Sequence, residues 1–409
     1  MKSFKELSLP APLARAIEEL KFDVPTPIQA SAIPIALEGK DLIGCAQTGT
    51  GKTAAFSIPL IAKIIASPDS RALILCPTRE LATQVADVLR ALTKHLPNIR
   101  GVVLIGGASM KPQMRGLSQN PSIIVATPGR LTDHLERKSL NLSKVNTIVL
   151  DEADRMFDMG FAPQVEHIFK FVPAKRQILL FSATLANTVK KLSDRYMHSP
   201  EHISVGEVNR PALKIKQSHI SISGPDKNEK LLEVVKARSG AILIFSRTKI
   251  RTDRLSKFLK TNSVKAVAIH GGRTQGQRER ALEDFRTGAY NILVATDVAS
   301  RGLDIPSIEL VVNFDLPATR EDYIHRIGRT ARAGANGEAI SFVTPEEMRD
   351  WKIISGEKPE SGGGGGHSHQ KSGGGRKNNF RPRRGGFQRS SYSPAPRSER
   401  SSGRREARR

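Results

Sequence analysis

The sequence predicts an α/β protein of two tandem domains, each a parallel sheet flanked by helices, followed by a basic Gly/Arg-rich tail. Short apolar runs alternate with longer amphipathic stretches, the pattern of buried parallel strands joined by helices. These runs fall into two series separated by a polar segment broken at Pro211. The chain, at 409 residues, also exceeds the usual size of a single domain.

In the first series, Ala72 to Leu75, Val102 to Ile105, Ile123 to Ala126, Thr147 to Leu150 and Ile178 to Phe181 read as strands. In the second, Ala241 to Phe245, Val267 to Ile269, Ile292 to Ala295 and Leu310 to Val312 do so. The expected organisation is a first domain over 1–205, a linker over 206–216, a second domain over 217–353 and a tail over 354–409.

From about Ser361 the composition changes to glycine runs with interspersed arginine and serine. Residues 361–409 hold 13 Lys and Arg against 2 Glu, so +11 of the net +24 lies there. Such a segment buries too little apolar surface to offset its ordering entropy, and disorder is expected. It reads as a solubility spacer or, with Phe380, Phe387 and Tyr392 among the arginines, as a sequence-tolerant nucleic-acid tether. His367 and His369 lie in the glycine-rich part and need bind no metal.

The net charge points to nucleic acid or another polyanion, the alternative being a solvated basic surface. Cys45 and Cys76 follow apolar residues and lack metal-ligand or disulfide spacing. The N-terminus has no apolar signal core and no run reaches membrane-spanning length, so a reducing, cytoplasmic setting is expected, with no membrane partner.

The most informative segments are Gln47-Thr48-Gly49-Thr50-Gly51-Lys52-Thr53 and Asp151-Glu152-Ala153-Asp154. A Gly-rich turn ending in Lys-Thr wraps phosphates in backbone N–H groups, with Lys52 supplying charge and Thr53 a hydroxyl for Mg²⁺. Ala46 stands where the strict loop has glycine. A carboxylate leaving a buried strand, here Asp151, gives the second Mg²⁺ anchor, and Glu152 beside it suits orienting and deprotonating water. Asp154 would pair across the domain or the cleft. These features predict binding and hydrolysis of a nucleoside triphosphate.

Upstream, Phe22 to Gln29 holds two prolines and a carboxamide able to give and accept one hydrogen bond each, matching adenine N6 and N7. Phe4 could stack on the base, although Pro-rich turns beside a Gln are common. Late in the chain, Arg329 and Arg332 of His325-Arg326-Ile327-Gly328-Arg329-Thr330-Ala331-Arg332 would share one face of a helix. They suit arginine fingers on a departing γ-phosphate, or a basic helix on nucleic-acid phosphates.

Over about residues 1–350 the chain resembles the DEAD-box RNA helicases of superfamily 2. Phe4 with Pro25 to Gln29 is similar to the adenine-reading Q motif, and Ala46 to Thr53 to motif I, where Ala46 is normal. Pro77 to Ala82, Gly106-Gly107 and Thr127 to Arg130 resemble three RNA-backbone motifs. Asp151 to Asp154 carries the family's name, and Ser182-Ala183-Thr184 resembles the motif linking hydrolysis to strand separation. Ile244 to Thr248, Gln277 with Arg280, Thr296-Asp297, Arg301 to Asp304 and His325 to Arg332 follow in order, with Ala331 where many relatives have Gly. Core length and tail look most like the bacterial RhlE-type group.

The resemblance implies two RecA-like domains, open when free and closed by ATP and RNA together. ATP would lie on Phe4, Gln29, Thr48, Gly49, Thr50, Gly51, Lys52, Thr53 and Asp304, with Mg²⁺ on Thr53 and Asp151. Catalysis would use Glu152, Lys52, Arg329 and Arg332. Thr78, Arg79, Gly107, Thr127, Gly129, Arg130, Thr248 and Thr296 would touch one RNA strand's backbone, small residues and hydroxyls allowing close approach without base reading. Asp154, Ser182, Thr184, Gln277, Arg280, His325 and Arg326 would couple the domains.

The implied activity is RNA-stimulated ATP hydrolysis coupled to local, non-processive opening of short RNA duplexes or remodelling of RNA–protein complexes. Alternatives are an ATP-dependent RNA clamp or assembly platform without unwinding, a DNA helicase or remodeller of the superfamily, and an RNA-binding protein with a decayed nucleotide site. The last two are opposed by Gln29 with the Asp-Glu-Ala-Asp sequence, and by intact Lys52, Glu152, Arg329 and Arg332. A monomer suffices, with ribosome-associated or RNA-decay proteins as candidate partners.

Overall fold

A computed structural model describes residues 1–46, 49–185, 187–205, 215–300, 308–331 and 336–356, the side chains of Val298 and Ser300 excepted. Thr48, Arg301 to Asp304, Arg332, 206–214 of the expected linker and 357–409 of the tail lie outside the described residues.

The first lobe is built on strands β1 (Leu42–Ala46), β2 (Arg71–Leu75), β3 (Gly101–Leu104), β4 (Ile123–Ala126), β5 (Val145–Leu150), β6 (Gln177–Ser182) and β7 (Glu201–Val205). They form one parallel sheet in the order β3-β4-β2-β5-β6-β1-β7. The second lobe has β8 (Ile215–Ser221), β9 (Ala241–Phe245), β10 (Ala266–Ile269), β11 (Ile292–Ala295), β12 (Ile308–Asn313) and β13 (Gly337–Val343). Its parallel sheet runs β10-β11-β9-β12-β13-β8.

Both faces of each sheet are covered, which is why central strands such as Ile123–Ala126 and Ile292–Ala295 are apolar throughout. Two apolar clusters flank the first sheet and two the second. Gly44 in β1 is set by packing: a Cβ there would fall 2.8 Å from the Phe181 ring of β6.

All nine expected strands are present. Four others had no sequence signal strong enough to read. β7 and β8 are edge strands with mostly exposed residues, while in β1 the large apolar pair Leu42 and Ile43 is followed at once by the small Gly44, Cys45 and Ala46. β13 begins with the part-exposed pair Gly337 and Glu338 before its buried run.

Element ends differ slightly from the expected borders. Ile215 and Lys216, expected as linker, begin β8 and pair with Gly337 and Glu338. Ile354 and Ser355, expected as tail, complete the helix Met348–Ser355, where Ile354 is buried beside the buried Trp351. Among the described residues no helix is long and apolar enough to cross a membrane.

Candidate functional site

The strand order divides the carboxyl edge of the first sheet into two neighbouring halves. β5, β6 and β1 carry the phosphate-loop and acidic segments; β3, β4 and β2 carry the residues expected on RNA. Ligands of open α/β sheets bind at that edge because strand ends and helix starts converge there.

After β1, Gly49 and Gly51 have φ of +84° and +90°, a left-handed conformation that side chains resist. The turn delivers Lys52 to the start of the helix Lys52–Ala66. Lys52 is buried, and its Nζ donates to the Ala46 carbonyl at 2.7 Å, inside the loop's own curve. Thr53 follows, half-buried.

Gln29 is fixed from both ends of its amide. Oε1 accepts from Thr26 N–H at 2.9 Å, and Nε2 donates to the Gly51 carbonyl at 3.1 Å. It therefore ties the double-proline segment to the phosphate loop, with one donor and one lone pair left for a base. Phe4 differs from expectation: it is buried in the first lobe's core, 6.3 Å from the Phe22 ring, so it forms part of the core instead of an exposed stacking face.

At the end of β5, Asp151, Glu152 and Asp154 are all buried. Burial pushes the Asp151 carboxyl up to about 7, against the opposing pull of Lys52. The Asp151 carboxylate and the Thr53 hydroxyl are hard-oxygen donors of the kind that suits Mg²⁺, which takes few protein ligands and completes its shell with phosphates and water. Among the described residues there is no cluster of three or more His, Cys, Asp or Glu able to cage a metal alone.

Glu152 has φ +51° and Oε2 bound by Arg155 NH1 at 3.0 Å. Arg155 is itself buried and was missed in the sequence, where its spacing of three from Glu152 was the available signal. The other oxygen, Oε1, has no partner among the described residues. Asp154 pairs within its own lobe: Oδ2 accepts from Ala183 N–H and Thr184 N–H at 3.0 Å and from Thr184 Oγ1 at 3.2 Å. Ser182 Oγ donates to the Thr184 carbonyl at 2.6 Å, closing that turn.

In the neighbouring half, Thr78 caps the helix Arg79–Leu92 by accepting from Leu81 N–H at 3.2 Å. Arg79 packs over Gly106 and Gly107; a Cβ on Gly107, whose φ is +73°, would collide with its guanidinium. Burial lowers the Arg79 pKa, and nearby Arg278 and Arg130 act in the same direction against Glu80. Guanidinium groups gathered in this way suit a polyanion. Arg130 NH1 donates to Ala108 O at 3.1 Å, Thr127 precedes the helix Pro128–Glu136, and the space beside Gly129 is open. In the second lobe, Thr248 caps the helix Lys249–Thr261 and is exposed, while Thr296 is buried just beyond β11.

The contact between lobes corrects one expectation. Gln277 caps its own helix, accepting from Thr274 N–H at 3.1 Å, and Arg280 is exposed. Arg278 does cross between the lobes: its Nε lies 2.5 Å from Glu80 Oε1, both side chains being buried. Gln275 and Arg278 have the same Gln-x-x-Arg spacing as Gln277 and Arg280, so spacing alone did not discriminate between them.

Arg326 is used inside the second lobe. It is buried, binds both Asp297 oxygens at 2.5 and 2.7 Å, donates to Asn313 Oδ1 and the Asp315 carbonyl, and lies over the Phe245 ring. His325 is half-buried in the last turn of the helix Arg320–Ile327. That helix ends at Ile327, before Arg329, and Arg332 lies outside the described residues. Arg329 is buried in the following turn, its N–H donating to the Arg326 carbonyl at 3.1 Å.

Family models describing the DEAD/DEAH box helicase and the helicase conserved C-terminal domain match residues 26–192 and 226–334. The chain is 45% identical over 358 residues to the ATP-dependent RNA helicase CshA of Listeria monocytogenes, covering 87% of this chain and 68% of that protein. It is 44% identical over 354 residues to the DEAD-box ATP-dependent RNA helicase CshA of Bacillus subtilis, covering 86% and 72%. These relatives carry the CshA name and lend the RhlE-type assignment no support. Among solved structures, it is similar to S. cerevisiae Dbp5 bound to RNA and ADP BeF3, with TM-score 0.78, 34% identity and coverage of 87% of this chain and 92% of that one. The two parallel-sheet lobes, the Lys52 loop beside a buried Asp151-Glu152-Ala153-Asp154 turn, and these likenesses agree: the chain belongs to the DEAD-box ATP-dependent RNA helicases.

Proposed function

We propose that the chain couples ATP hydrolysis to local opening of short RNA duplexes or to remodelling of RNA–protein complexes. The observation that carries this reading is the strand order, which sets the phosphate half and the RNA half side by side on one edge. Glu80, on the helix after β2 in the RNA half, holds Arg278 of the second lobe, so lobe contact and RNA binding share a helix.

In this reading Lys52 exchanges the Ala46 carbonyl for the β- and γ-phosphates, and Gln29 holds the adenine. Thr53 and Asp151 would hold Mg²⁺, which supplies charge neutralisation on the phosphates. Arg155 keeps one Glu152 oxygen occupied, and Oε1 orients a water and takes its proton as the water oxygen bonds the γ-phosphorus. The bond from that phosphorus to the β–γ bridging oxygen breaks, and ADP leaves with that oxygen. Arg329 and Arg332 would meet the developing charge from the second lobe, with Asp304 on the ribose. Asp154 transmits the state of the acidic turn to Ser182-Ala183-Thr184 through its three bonds.

RNA would bind through Thr78, Arg79, Gly107, Thr127, Gly129, Arg130, Thr248 and Thr296, by backbone and with little sequence preference. The tail adds non-specific affinity, and the protein acts as a cytoplasmic monomer.

The test measures ATP turnover with and without RNA, together with strand release from a short RNA duplex, for the wild type and Glu152→Gln. RNA-stimulated turnover with release, both reduced by about 10²-fold or more in the variant, is expected. Stimulated turnover without release would instead identify a clamp, and absence of turnover would overturn the catalytic assignment.

A further inference from the structure

The second sheet repeats the layout of the first. With β8 set against β1, strands β13, β12 and β9 fall against β6, β5 and β2. β1 leads to a helix that begins at Lys52, and β8 to one that begins at Lys227. Asp151 follows β5 directly, and Asp315 follows β12 with Phe314 between. All four of these charged residues are buried. The second lobe thus has a lysine and an aspartate in the phosphate-site positions without the glycine loop.

A cavity of about 380 Å³ opens at that place, lined by Lys227, Arg247, Arg251, Arg254, Asp315 and Glu347. Its charges do not cancel. Lys227 Nζ donates to the carbonyls of Phe314 and Phe342 and lies 3.2 Å from Glu347 Oε2. Arg251 pairs with Asp315, which also accepts from Arg247 N–H at 2.8 Å. Each carboxylate is therefore matched by a cation, and two guanidinium groups are left over. Arg247 reaches Glu347 only at 3.8 Å, and Arg254 has no ion-pair partner among the described residues.

We propose that this cavity binds the terminal phosphate of a small polyphosphate ligand, held by Arg247, Arg251 and Arg254. Arg251 and Arg254 lie three apart on the helix Lys249–Thr261, Arg247 precedes its cap Thr248, and all three line the cavity. A concave site of this volume with a few convergent cations suits a small molecule. RNA is the rival occupant, because the three arginines follow β9, the counterpart of β2 in the RNA half, and Thr248, an expected RNA contact, lies between Arg247 and Arg251. The rest of the lining, including Lys227, Phe314, Asp315, Thr344 and Glu347, follows β8, β12 and β13, the counterpart of the nucleotide half, and this favours the smaller ligand.

The test is hydrogen–deuterium exchange of the full chain titrated with tripolyphosphate. Lys52→Ala silences the first-lobe loop, and Arg247→Ala/Arg254→Ala removes two exposed side chains without unpairing a buried acid. Protection over 222–230 and 247–255 is expected in the wild type and in Lys52→Ala, with affinity about tenfold weaker in the double variant. Arg254→Glu gives the same loss should the double variant not fold. Protection confined to the first-lobe loop, or unchanged by the arginine variants, would overturn the proposal. So would equal protection of these segments by a single-stranded RNA, which would make the cavity part of the RNA track.

Discussion

Glu80 and Arg278, 198 residues apart in the chain, join the two lobes through a buried ion pair at 2.5 Å. Removing one member of a buried pair leaves the other desolvated and uncompensated, at a cost of about 3–5 kcal/mol. Here part of that cost is relieved by lobe separation, which hydrates the orphaned carboxylate. Arg278→Ala should therefore lower RNA-stimulated turnover by about tenfold or more, and leave ATP binding to the first lobe unchanged. Glu80→Gln with Arg278→Ala should recover part of the loss. Undiminished RNA stimulation in Arg278→Ala would show that the pair does not hold the active arrangement.

Gly107 has φ +73°, and the Arg79 guanidinium lies against its Cα. Gly107→Ala combines left-handed strain of about 1–2 kcal/mol with displacement of that guanidinium. RNA affinity should fall about tenfold with nucleotide affinity unchanged. Fluorescence anisotropy with labelled RNA and with a labelled nucleotide separates the two; equal losses on both would refute a local effect.

Ala331 has φ +56°, a conformation that costs a residue with a Cβ about 1 kcal/mol and glycine nothing. That explains why glycine is accommodated at this place in the resembling motif. Ala331→Gly should raise thermal stability modestly, offset by the greater unfolded-state freedom of glycine. A marked fall in Tm would mean that the alanine methyl's packing against the second lobe's core outweighs the strain.

Asp253 accepts from His270 Nε2 at 3.0 Å and Arg273 NH2 at 2.6 Å. Burial raises its carboxyl pKa, but those hydrogen bonds and charges prevail and hold it below the usual 3.8. A depressed carboxylate stabilises the fold above its unfolded pKa and loses that contribution as pH falls through its folded value. The wild type should thus lose stability in acid more steeply than Asp253→Asn, seen in urea midpoints across the carboxylate range. Parallel curves would remove Asp253 from the acid response.

The central strands were readable because burial on both faces makes them continuously apolar, as in Ile123–Ala126 and Ile292–Ala295. Edge strands were not: Glu201–Val205 and Ile215–Ser221 pair through backbone groups, which leave little mark on side-chain choice. Local chemistry also fixed the phosphate loop, since Gly49, Gly51 and Lys52 act within one turn. The acidic turn was equally legible, because Asp151 directly follows an apolar run.

What the sequence determined by itself was the set of groups whose chemistry is local: the phosphate turn, the strand-end acids and the alternation that dictates two parallel sheets. Tertiary structure decided which side chains meet across long separations. It chose Arg278 over Gln277 and Arg280, sent Arg326 into the second lobe's interior, put Arg155 on Glu152 and buried Phe4 against Phe22. The reason is physical: a helix or loop fixes its own turn geometry, whereas the direction of a long side chain is set by which partner can compensate its desolvation.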